Sequence, residues 1–128
     1  MASPIVPTRQ RLTEAGIRRF YRDGFRNVGM DQILADVGIS KTALYKHFES
    51  KEDLMLEALE SQNRWVQETF HQMIRERGGT TAIGQLHAVF DVVEVVIESD
   101  DYQGCIFVNA AITVESANLH RAIVIATT

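Results

Sequence analysis

Cysteine, proline and tryptophan are scarce in this 128-residue chain, and long apolar runs are missing. The single cysteine, Cys105, has no partner for an internal disulfide, which suits a reducing, cytoplasmic setting. The two prolines, Pro4 and Pro7, sit in the leader and keep it out of the first helix. No stretch approaches the roughly 18 apolar residues of a membrane helix. The opening MASPIVPTRQR has no apolar segment of the signal-peptide kind. Repeats and low-complexity tracts are absent.

Catalytic signatures are equally thin. There is no phosphate-binding glycine loop, and Ser40, Ser50 and Ser116 lack the glycines of a nucleophile elbow. Glu68 and His71 form a single E-x-x-H pair, whereas a di-iron bundle needs two such pairs and two more glutamates. His87 and His120 stand alone. The reading is therefore of a protein that is not an enzyme and holds no metal or cofactor.

What is present is a globular composition, 45% hydrophobic and 23% charged, enough for one domain or a small domain with part of a second. The net charge of −4 conceals an asymmetry. Residues 1–51 carry nine Lys/Arg against five Asp/Glu, while residues 52–128 carry four against twelve. A basic head on an acidic body suits a head that meets a polyanion; the alternative is a chance division of surface charge.

Helical periodicity runs through the chain. Leu12, Ala15, Ile17, Phe20 and Tyr21 form one stripe between Thr8 and Asp23, with Gly24 placed to close it as a left-handed cap. A short helix is expected over about Met30–Val37, stopped by Gly38. Ser40 then caps another over Lys41 to about Phe48. Ser50 and Asp53 make a capping-box-like start for a long fourth helix reaching Arg77, ended by Gly78 and Gly79. The run VFDVVEVVI is rich in β-branched residues. Its polar positions Asp91, Glu94 and Glu98 recur at three and four, so a helix is expected from about Ala82 to Glu98. Further helices follow from about Gln103 to Glu115 and from about Asn118. The fold class is all-α.

Residues 31–48 contain the parts of a helix-turn-helix. Ile33, Leu34 and Val37 face inward, Gly38 turns the backbone and Ile39 fills the corner. Leu44 and Phe48, four apart, support the second helix. Lys41, Thr42, Ala43, Tyr45, Lys46 and His47 then face outward or sideways. Thr42 can bond a base edge, the methyl groups of Thr42 and Ala43 can touch thymine, and Lys41, Tyr45, Lys46 and Lys51 can meet phosphate. A plain helical hairpin with a solvated charged rim is the alternative.

These residues resemble the DNA-binding domain of the TetR (tetracycline-repressor-like) family. The resemblance rests on Ala15–Gly16, Phe20–Tyr21 and Gly24–Phe25, then DQILADVGIS and KTALYKHFESKEDL, over about Thr8–Leu59. It implies that Lys41, Thr42 and Ala43 begin a base-reading helix. It also implies that Tyr45 and Lys51 contact phosphate, with His47 at a groove-side position. Two departures stand out. Gly29 replaces the usual Ser or Thr and offers no side-chain oxygen; Leu34 replaces a small alanine.

The resemblance further implies an N-terminal three-helix domain (1–51) joined through the long fourth helix to a helical ligand-binding and dimerisation body (52–128). GCIFVNAAITVES resembles a segment found in many members. The body is expected to be incomplete at the C-terminus, because the chain stops within the apolar run AIVIATT. Trp65, Phe70, Phe90, Cys105 and Phe107 are candidate linings of a ligand pocket; the alternative is that they form core. The expected function is a ligand-responsive transcriptional regulator, a repressor binding a near-palindromic operator in double-stranded DNA as a homodimer. Its effector would be a small molecule. A non-catalytic helical protein-interaction module is the alternative.

Overall fold

A computed structural model describes residues 5–113 and 117–126, without the side chains of 117, 118, 125 and 126. The described elements are all α-helices: α1 (Thr8–Asp23), α2 (Met30–Val37), α3 (Lys41–Tyr45), α4 (Lys51–Gly78), α5 (Ala82–Ile97), α6 (Ile106–Thr113) and α7 (Ala117–Ala126). The all-α expectation holds. Pro4, the expected helix end at Glu115, and Ser116 lie outside the described residues.

Each boundary has a local cause. Pro7 precedes α1, where its missing N–H costs nothing. Gly24 ends α1 by donating its N–H to the Phe20 carbonyl at 3.0 Å. Its backbone (φ 86°, ψ 151°) is not the left-handed cap expected from the sequence; it lies in a region essentially reserved for glycine. Gly38 does take the left-handed conformation (φ 77°, ψ 37°) and donates to the Leu34 carbonyl at 2.7 Å. Thr81 caps α5 by accepting the Gly84 N–H at 3.1 Å.

Two helices are shorter than their sequence suggested. α3 ends at Tyr45 rather than about Phe48, because the Leu44 carbonyl receives the N–H groups of both His47 (2.9 Å) and Phe48 (3.1 Å). That sharing tightens the last turn and ends the α-helical ladder. α6 starts at Ile106 rather than about Gln103, after Gly104 takes φ +88°. Its ladder begins with Asn109 donating to the Cys105 carbonyl at 2.9 Å.

By compactness the chain forms two units: Met1–Ser61 with Cys105–Thr128, and Gln62–Gly104. In the first, Leu12, Ala15, Phe20, Phe25, Val28, Ile33, Val37, Leu44, Phe48, Leu54, Met55, Ala58 and Leu59 share one buried core with Ile106, Ala110 and Ile123. Phe20 and Phe25 stack with ring centres 4.9 Å apart. Burial of such side chains contributes about 1.5–3 kcal/mol each for the larger ones. Leu34 is half-buried against this core, so the larger residue is accommodated at its margin. In the second unit the end of α4 and the start of α5 approach closely at Gly78 and Gly84, where a β-carbon on Gly78 would lie 2.5 Å from the Gly84 carbonyl oxygen. α4 contributes residues to both units.

Candidate nucleic-acid interface

α3 is only five residues long, too short to persist on its own nucleation energetics. It is held from three directions. Ser40 is extended and its Oγ accepts the Ala43 N–H at 3.1 Å, satisfying one orphan donor of the first turn. Leu44 and Phe48 are buried in the core, as their spacing predicted. Arg9 of α1 donates from Nη1 to the His47 carbonyl at 2.6 Å, and its guanidinium lies 4.4 Å from the centre of the Phe48 ring.

The rest of α3 and the turn after it forms a polar edge. Lys41, Thr42 and Lys46 are exposed, Tyr45 is 46% exposed, and Ala43 and His47 are half-buried. Lys51, the first residue of α4, is half-buried. That helix begins with reciprocal capping. Ser50 Oγ accepts the Asp53 N–H at 3.2 Å, and Asp53 Oδ2 accepts the Glu49 N–H at 3.2 Å. Glu52 and Asp53 complement the helix N-terminus but place negative charge beside Lys51, so the cationic surface is mixed.

At α2 the missing hydroxyl is partly replaced. Gly29 is extended (φ −97°, ψ 155°), and its N–H donates to Gln32 Oε1 at 3.0 Å. The reach-back half of a capping box therefore survives without its hydroxyl half.

An ion pair that the sequence did not single out ties α2 to α1. Arg19 on α1 meets Asp36 on α2 through two bonds, Nε to Oδ2 at 2.6 Å and Nη2 to Oδ1 at 2.7 Å. The Arg19 guanidinium holds the Asp36 carboxyl below its ordinary value. Asp23 is lowered likewise, first by its bond to Arg22 and then by Arg19, with desolvation acting against them. Arg11 was missed as well; its Nη2 donates to the Val37 carbonyl at 2.7 Å. One signal was legible for Arg9 and Arg11. Two cations and no acid occupy the first turn of α1, the end where a helix disfavours positive charge.

The candidate pocket residues are divided between the two units. Trp65, Phe70 and Phe90 belong to the Gln62–Gly104 unit, where Trp65 is 57% and Phe90 69% exposed and Phe70 is half-buried. Neither Trp65 nor Phe90 is a core residue. Cys105 is exposed, and Phe107 is half-buried against the core of the other unit.

Residues 12–58 match the family model "Bacterial regulatory proteins, tetR family". An uncharacterised HTH-type transcriptional regulator, YerO of Bacillus subtilis (strain 168), is 42% identical over 52 residues, 41% of this chain and 18% of that protein. The HTH-type transcriptional repressor DhaR of Mycobacterium sp. (strain GP1) is 26% identical over 107 residues, 84% of this chain and 52% of that one. The chain therefore spans about half the length of DhaR and less of YerO. Among solved structures, SCO4454, a TetR-family transcriptional regulator from Streptomyces coelicolor, superposes with a TM-score of 0.75 at 30% identity, over 93% of this chain and 63% of that one. The helix-turn-helix region, residues 12–58, thus matches the tetR family of bacterial regulatory proteins, and the fold is shared with a TetR-family regulator over 93% of this chain.

Proposed function

We propose that this chain is a ligand-responsive transcriptional regulator that reads double-stranded DNA through α3. Residues 1–51 form the reading head and residues 52–128 the regulatory body. The observation that carries the proposal is the two-sided character of α3. Leu44 and Phe48 anchor one side in the core, while Lys41, Thr42, Tyr45 and Lys46 face solvent on the other. A short helix so anchored presents small and polar residues to the major groove. Thr42 and Ala43 read base edges. Lys41 and Lys46 reach phosphate or guanine, Tyr45 and Lys51 engage phosphate, and His47 borders the groove.

The protein acts as a repressor and as a homodimer on a near-palindromic site, with two reading helices about 34–36 Å apart in successive grooves. A small molecule held among the later helices, with Trp65, Phe70, Phe90, Cys105 and Phe107 as candidate contacts, shifts the population toward a form with the heads wrongly spaced. The relatives named as HTH-type regulators support this reading.

Selection of bound sites from random duplex DNA tests it. An inverted repeat in the recovered sequences is expected. Recovery of no preferred sequence, together with a shallow dependence of affinity on salt, would refute DNA reading, because each neutralised phosphate contributes about −0.9 to the log–log slope. That second outcome would favour a helical protein-interaction module. Such a module has one observation in its favour, the exposed apolar side chains Ile83, Leu86 and Phe90 along α5.

A further inference from the structure

Two arginines in the first turn of α1 contradict the usual charge preference of a helix N-terminus. Their side chains explain the exception, because each serves the end of a different helix. Arg11 Nη2 donates to the carbonyl of Val37, the last residue of α2, at 2.7 Å. Arg9 Nη1 donates to the carbonyl of His47, in the turn leaving α3, at 2.6 Å. Carbonyls at such exits have no partner within their own helix. A charged donor is the stronger kind of partner for them. Arg9 is itself held in place, lying over the Phe48 ring at 4.4 Å and pairing through Nη2 with Glu57 Oε2 of α4 at 3.5 Å. One guanidinium thus joins α1, the exit of α3 and the second turn of α4.

We propose that Arg9 and Arg11 are positioning residues for DNA reading, a clamp from α1 that closes the exits of α2 and α3 and fixes the pose of the reading helix. They precede the residues matched to the family model, which begin at residue 12. The inference rests on the proposed role of α3 in reading DNA and adds residues that this role did not include. Each guanidinium is engaged by a backbone carbonyl while its residue stays exposed, and the proposal assigns both to positioning rather than to phosphate contact. A planar fork is required at Arg9. Its donors reach the carbonyl and the carboxylate while its face covers the ring, and a lysine ammonium cannot do all three.

Amide hydrogen exchange on the full chain without DNA, and binding of two duplexes, test the clamp. Arg9→Met is expected to speed exchange about tenfold at His47 and Phe48, whose N–H groups close the end of α3, and to leave Gly38 unchanged. Arg11→Met is expected to do the reverse, speeding Gly38 at the end of α2. Uniform acceleration along the chain, or none at these amides, would overturn the clamp. If Arg9→Met does not fold, Arg9→Lys carries the same comparison.

The duplexes are one recovered by selection and one scrambled duplex of the same length. Arg9→Met should weaken the selected duplex about tenfold, leave the salt slope on the scrambled one unchanged, and not be rescued by Arg9→Lys. A merely structural loss would lower both affinities together. A slope reduced by about 0.9, with rescue by lysine, would make Arg9 a phosphate contact and end the proposal. If neither duplex binds, the DNA-reading proposal fails, while the exchange measurements still decide the clamp.

Discussion

Arg19 and Asp36 join α1 to α2 through two parallel charge-assisted bonds of 2.6 and 2.7 Å, with both side chains less than one-third exposed. This bidentate geometry is the kind in which a surface pair contributes measurably. The Asp36 carboxyl is lowered by its bond to Arg19. Its contribution is therefore complete above the unfolded aspartate value of about 3.9 and fades as pH falls through the lower native value. Asp36→Asn should lower Tm at pH 7, and the difference from the parent should shrink toward acid pH. Thermal unfolding from pH 7 to pH 2.5 measures it; a difference independent of pH would show that the pair does not act through its charge.

Lys51 and Thr42 separate the two kinds of contact proposed for DNA. Lys51→Ala should weaken all duplexes about equally and reduce the salt slope by about one. Thr42→Ala should change which sequences are selected, with a smaller general loss. Titrations at several salt concentrations give both numbers. Identical behaviour of the two variants would remove the distinction between positioning and reading.

Gly29→Ser should add what α2 lacks. The backbone is extended, and a β-carbon there meets nothing within 4 Å. The new hydroxyl can cap the first turn and stabilise the fold by a few tenths of a kcal/mol. If it also reaches phosphate, the salt slope on duplex DNA should steepen by about 0.9. Chemical denaturation and salt titration report the two effects separately.

Gly84→Ala should destabilise the Gln62–Gly104 unit by about 1–3 kcal/mol through overpacking. Its β-carbon would meet the Gly78 backbone and, at 2.7 Å, the Thr81 hydroxyl that caps α5. Exchange protection lost along α5 but retained in α1 and α2 is the expected pattern. An unchanged Tm would mean that the two helices can separate freely at this point.

The helices were legible because their signals are local. The spacing of Asp91, Glu94 and Glu98 identified α5 despite its valines, and Ser40 and Ser50 marked the starts of α3 and α4. The end of α3 was less so, because nothing in the residue types at Lys46 and His47 shows one carbonyl accepting two bonds. Arg9 and Arg11 escaped because their partners lie 38 and 26 positions away. The polar edge of α3 was readable from Leu44 and Phe48 four apart, which fixes what remains outside. The exposure of Trp65 and Phe90 was not, since an aromatic on a helical stripe has the same spacing whether or not anything covers it.

The brevity of α2 and α3, eight and five residues, has a consequence for how the molecule comes together. Neither segment can nucleate a stable helix alone, and each ends on a carbonyl or turn held by α1. The three helices should consequently assemble in one cooperative event after α1 has formed. A synthetic peptide covering only the helix-turn-helix would remain largely coil, whatever its affinity for nucleic acid once extended to include Arg9.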